Sequence, residues 1–179
     1  NLALLATTAR SGANREAYSP AQIGINLAIA ASTGTGQVLG ATVIPGDART
    51  LLLQSFLAAH GSPMAPFSNL FVELADLYHF DYRIAPAIAM CESNLGKRLP
   101  LKQAYNAWGI RCYTGQEDRC KQFTGWEHAI SWVMNYIKTT YFDQGITDLR
   151  DIGAKWAPPS VDTDYSWTSC VGGYMSELR

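Results

Sequence analysis

From Asp47 onward, helix starts and helix stops follow one another at regular intervals, and this grammar restricts the chain to a mainly α fold. In GDARTLLLQSFLAAHGSP, Asp47 can cap a helix whose apolar residues are Leu51, Leu52, Phe56 and Leu57, with a stop at Gly61 before Pro63. PFSNLFVELADLYHF repeats the pattern with Leu70, Phe71, Leu74, Leu77 and Tyr78. Asp81 can cap a third helix, YRIAPAIAMCESNLG, in which Ile84, Ile88 and Cys91 share a stripe and Gly96 ends the run. Pro86 falls about one turn inside it, where proline is still tolerated. Thr124 and Glu127 form a capping box for WEHAISWVMNYIKTTYF, with Trp126, Ile130, Val133, Met134 and Ile137 on its apolar face and Gly145 as the stop. Thr147 or Asp148 opens a short helix through Lys155 that Pro158 and Pro159 forbid from continuing. Asp164 can cap the last segment, which places Trp167, Cys170, Val171, Tyr174, Met175 and Leu178 on one side. The expectation is roughly six helices, with a small irregular or β-hairpin lobe between the third and fourth where LPLKQAYNAWGIRCYTGQEDRCKQF shows no helical period.

The 179 residues suffice for one compact domain and some surplus, and 47% hydrophobic against 16% charged residues is a composition that buries a real core. Residues 1–45, rich in Ala, Thr, Ser and Gly without a sustained period, read as an N-terminal extension to a domain at 46–179. Ser19 to Gly46 holds no charged side chain, so it resembles a weak signal-peptide core or a linker, and reads equally well as an ordinary strand or loop. Threonine and glycine break the run, and no stable membrane span is expected. A net charge of -1 gives no broad basic field, which argues against nucleic acid as a partner.

Four cysteines permit three pairings. Cys112 and Cys120 close a short polar loop and read as a local staple, which would leave Cys91 with Cys170 to tie distant segments together. Oxidised cysteines imply a secreted or cell-envelope setting; the alternative is buried free thiols. No close Cys pair exists and His60, His79 and His128 are scattered, so no metal site is expected.

Glu92 stands directly after the apolar run IAPAIAMC and directly before the polar turn SNLGK. Apolar surroundings disfavour its anion, and so does the negative end of the helix that carries it, so its position favours a protonated carboxyl. That is the state a glycosidase's general acid needs near neutral pH, though a solvated glutamate at a helix end would look the same in sequence. Other signatures fail: GTGQVLG at 34–40 lacks dinucleotide-loop spacing and a Walker lysine, and Cys91 with His128 lacks papain-like local sequence.

AIAMCESNLGK resembles the motif around the catalytic glutamate of goose-type lysozymes and lytic transglycosylases. YNAWGIR resembles the Asn-aromatic-Gly-Ile element of bacterial N-acetylglucosaminidases of the family 73 type, found in autolysins and flagellar muramidase-like enzymes. FTGWEHAISWVMNYIKTTYFDQGI and IGAKWAPPSVDTDYSWTSCVGGYM resemble the long helix and the closing Ala-Pro turn and helix of that family, so the likeness runs from about Pro63 to Leu178. It implies a lysozyme-like fold of two helical lobes with Glu92 on the cleft floor and the Tyr105 to Lys121 stretch as one wall. Tyr105, Asn106 and Trp108 would line the sugar sites, with core packing the alternative for Trp108, and Tyr165 would be the cleft tyrosine. Glu117 and Asp118 are the acids available as a second catalytic carboxylate, unless the substrate's own acetamido oxygen takes that part. The implied activity is cleavage of β-1,4 linkages in peptidoglycan glycan strands, foremost as an endo-β-N-acetylglucosaminidase, by a monomer that needs no cofactor. A muramidase or transglycosylase of the same fold, and a glycan-binding module without catalysis, are the rivals.

Overall fold

Among the described residues six α-helices span Ala48–Ala59 (α1), Ser68–Tyr78 (α2), Ile84–Ser93 (α3), Trp126–Thr140 (α4), Leu149–Trp156 (α5) and Ser166–Glu177 (α6). They come from a computed structural model that describes residues 47–99, 101–112, 115 and 119–178. The expected N-terminal extension and the acids Glu117 and Asp118 lie outside the described residues. Short 3-10 turns at Ala65–Phe67, Lys102–Ala104, Phe142–Gln144 and Pro158–Thr163 link the helices. The chain is thus mainly helical, and no strand occurs among the described residues, so the irregular alternative for the stretch after α3 holds there and the hairpin does not.

The structure of α3 departs instructively from its sequence. A single apolar stripe was expected, but Ile84, Ala85, Pro86, Ala87, Ile88, Ala89 and Met90 are all buried, so the helix is covered round its circumference. Its alanines let neighbouring helices approach closely on every side. α6 packs against it, and the Cys91–Cys170 disulfide joins the two with their Cα atoms 6.2 Å apart. α2 packs on both α1 and α4, closing the core around Phe71, Ile130 and Met134. Pro86 breaks nothing because it is the third residue of the helix, where backbone N–H groups have no helical partner anyway.

Caps and stripes are mixed in outcome. Asp47 and Asp148 cap α1 and α5 as expected, accepting from the backbone N–H of Arg49 (2.9 Å) and Arg150 (2.8 Å). The capping box before α4 does not form: Gly125 takes the cap position, and the Thr124 hydroxyl instead meets Nδ1 of His128 at 3.0 Å. Asp164 does not cap α6, because it and Tyr165 both lie in the left-handed region (φ 53° and 55°) and turn the chain before the helix begins. On α1 the buried pair is Leu53 and Leu57, while Leu51 and Leu52 face outward. Likewise Leu77 is exposed and α2 buries Phe71, Val72 and Ala75, because α4 covers that side. On α4, Ala129 replaces the half-buried Trp126 in the fully buried set.

Both expected disulfides are present, the second being Cys112–Cys120. Among the described residues no helix is long and apolar enough to cross a membrane, and no group of His, Cys, Asp and Glu side chains could hold a metal ion. The two disulfides close loops of very different size, with sequence separations of 79 and 8. Replacing Cys91 and Cys170 by alanine is therefore expected to cost about 2–4 kcal/mol of unfolding free energy, and the Cys112/Cys120 pair less. Urea unfolding of the two double variants checks the order.

Candidate active site

The last turn of α3 emerges from the core one residue past Cys91, and the side chain it delivers to the surface is Glu92. Two residues later the chain enters the left-handed region at Asn94, Leu95 and Gly96 (φ 52°, 57° and 80°). Gly96 is required there, since a Cβ would stand 2.6 Å from Cη2 of Trp126. Ser93 fastens this end: its hydroxyl donates to the Ala107 carbonyl at 2.7 Å and accepts from the Gly96 N–H at 2.8 Å. The Glu-Ser pair of the motif therefore splits its work, the serine anchoring the turn and the glutamate facing the groove.

Two indoles converge on one carboxyl oxygen. Nε1 of Trp167, on α6, donates to Oε1 of Glu92 at 2.9 Å, and Nε1 of Trp156, at the end of α5, donates to the same oxygen at 3.1 Å. Oε2 faces the loop, where a Cβ added to Gly109 would come within 3.4 Å of it. Glu92 is exposed on its groove side, while the protein packed about the carboxyl takes part of its hydration away. This burial pushes its pKa above the ordinary 4.5, with the Trp167 and Trp156 hydrogen bonds pulling in the opposite direction. No charged side chain among the described residues contributes to that balance. When protonated, the carboxyl carries its proton on Oε2, because Oε1 already accepts two N–H groups.

Depressions of about 450 and 420 Å³ flank the carboxyl. The first is bordered by Gly109, Trp132, Tyr136, Tyr141 and Trp156, the second by Glu92 itself with Ala157, Ser160 and Trp167. An unbroken aromatic row runs through them, Trp132, Tyr136, Trp156 and Trp167, with successive ring centroids 5.1, 5.9 and 6.0 Å apart, and the buried Phe123 backs Trp132 at 5.6 Å. Tyr141, buried behind the row, has its hydroxyl held neutral far into the alkaline range by that burial and by Tyr136.

The residues expected to hold sugar have other duties. Asn106 is buried, and its amide donates to the carbonyls of Ile110 and Lys121, both at 2.9 Å, while its oxygen accepts from the Ile110 N–H. Trp108 is 1% exposed and donates its indole N–H to the Ala85 carbonyl at 2.8 Å. Both are posts that hold the Gly109 backbone over Glu92, and neither has polar atoms to spare for a ligand. Tyr105 packs edge-on against Trp126 at a separate depression with Lys97, Arg98 and Lys102. Tyr165 lies beneath the Arg150 guanidinium, 4.1 Å from ring centroid to Cζ. Trp156 and Trp167 are what the sequence reading missed. Their signal was present: an indole N–H near the core needs an acceptor, and both tryptophans bracket the Ala-Pro-Pro turn that brings α5 and α6 together. No protein-family model matches the chain, and no curated protein matches it.

Because the folded state holds the Glu92 proton more tightly than the unfolded chain, stability from this group is present below pH 4.5 and is lost as pH rises through the raised folded value. Glutamine keeps an oxygen for both indoles and does not ionise. Glu92→Gln is expected to melt with the wild type at about pH 4 and above it at neutral pH; a wild type that gains on the variant as pH rises would show the opposite shift.

Proposed function

We propose that the chain is a glycoside hydrolase that cleaves β-1,4 linkages of peptidoglycan, foremost as an endo-β-N-acetylglucosaminidase, with Glu92 as its general acid. The observation that carries this reading is a carboxyl whose pKa burial raises, the one acidic side chain among the described residues at two depressions lined with aromatic rings. Pyranose rings stack on such faces, and Trp132, Tyr136 and Trp156 offer a row of them leading to the acid. The likeness of AIAMCESNLGK and YNAWGIR to the glucosaminidase motifs supports the same reading, as does a helical fold with a cleft beside the end of α3. In that fold, α5 and α6 would form one lobe's edge of the cleft and the 105–121 loop the other.

The chemistry follows from the two oxygens. Oε1, fixed by the indoles, orients the carboxyl; the proton on Oε2 passes to the glycosidic oxygen as the C–O bond breaks, leaving positive charge on the sugar ring. That charge is met by a second carboxylate, for which Glu117 and Asp118 are the candidates, or by the acetamido oxygen of the substrate itself, and water then adds to the anomeric carbon and gives its proton to an ionised carboxylate. Two disulfides fit a protein that works outside the cytoplasm.

Mass spectrometry of digested peptidoglycan tests the proposal. The expected product has a reducing N-acetylglucosamine end, and Glu92→Gln is expected to lower turnover by about 10²–10⁴-fold or more while glycan binding persists. A reducing muramic acid end, or products lighter by one water, would keep Glu92 as the acid but move the chain to muramidase or transglycosylase. Unchanged lysis by the variant would refute the assignment, and a wild type that binds glycan without cutting it would make this a binding module.

A further inference from the structure

The larger depression beside Glu92 has cationic borders. Arg111 reaches it from the loop two residues after Gly109, and Lys155 reaches it from α5 one residue before Trp156. Both side chains are exposed, and no acidic residue borders the depression among the described residues. Three basic groups elsewhere are neutralised by pairing: Arg49 with Asp47 and Asp76, Arg83 with Asp81, Lys138 with Asp143. Arg111 and Lys155 have no such carboxylate partner among the described residues. The two cations border a depression whose walls are otherwise largely aromatic, with Trp108, Trp132, Tyr136, Tyr141 and Trp156 among its lining.

The backbone adds an independent sign. Arg111 sits at φ 55°, a left-handed conformation that costs a side-chain-bearing residue energy, and Asn106 enforces it by gripping Ile110 from both sides. That turn sets Arg111 at the border of the groove beside Glu92, with no carboxylate partner among the described residues.

We propose that Arg111 and Lys155 form a carboxylate-recognition subsite, so that the groove selects a glycan strand bearing acidic groups over a neutral one. This rests on the glycosidase reading and specifies its substrate. Arginine offers a carboxylate paired N–H donors, lysine a point charge, and the aromatic row between them takes the neutral sugar faces. On a peptidoglycan strand the carboxylates come from two sources, the stem peptide or the lactyl group freed when the stem is removed.

The test reads binding through quenching of intrinsic tryptophan fluorescence, which needs no turnover, so a failure of the catalytic reading leaves it standing. Three probes are compared on the wild type and the Arg111→Gln/Lys155→Gln variant, whose fold is checked by its melting temperature: a neutral chitooligosaccharide, strands stripped of stems, and strands carrying them. Affinity for the charged strands is expected to fall about 10-fold or more in the variant, with the salt dependence of wild-type binding lost, while the neutral oligosaccharide changes by less than about 2-fold. A loss confined to strands stripped of stems assigns the lactyl carboxylate, a loss confined to stem-bearing strands assigns the peptide, and a loss on both shows that the subsite takes either carboxylate. Equal losses on all three probes, no loss on any, or a wild type that binds none of them overturns the inference.

Discussion

A helix covered on every side meets solvent only at its ends, and in this protein the C-terminal end of α3 carries a carboxyl. That constraint organises the rest of the site. The apolar girdle from Ile84 to Met90 fixes the axis of the helix in the core, so the place where Glu92 emerges is set by packing and not by a flexible loop. The disulfide from the preceding residue, Cys91, to Cys170 then draws α6 to the same spot, and with it Trp167. The catalytic candidate and one of its hydrogen-bond donors are thus held by a covalent bond between their helices.

The electrostatics of the carboxyl are a contest between burial and two N–H donors. Burial wins in direction, and the donors decide geometry: both take Oε1, which leaves Oε2 to the groove. Neutral donors suit this purpose. A lysine or arginine at the same distance would favour the anion far more strongly and defeat the proposed role of proton donor. The aromatic row serves two ends at once, since Trp156 and Trp167 orient the acid through their N–H groups and continue the surface on which a ligand could lie.

Much of this was legible in the sequence. Helix count, both disulfide pairings, the Asp47 and Asp148 caps and the emergence of Glu92 at a helix end follow from local rules: periodicity, capping chemistry and cysteine spacing. What was not legible is tertiary. Asn106 and Trp108 belong to a motif whose likeness suggests a sugar site, yet both bury their polar atoms against backbone, and only the fold shows that they act by holding Gly109 in place. The indole partners of Glu92 lie 64 and 75 residues away along the chain, beyond any local pattern. The failed caps have a common cause, since Gly125 before α4 and the left-handed Asp164–Tyr165 pair before α6 set the chain direction before a side chain could reach the first turn.

The central claim is that the fold holds Glu92 towards its neutral form. A carbon-detected NMR titration of its side-chain carboxyl measures this directly. The expected midpoint lies above 4.5, and Trp167→Phe, which removes a donor to Oε1, moves it higher still. A midpoint at or below 4.5, or a downward move in the phenylalanine variant, would contradict the account.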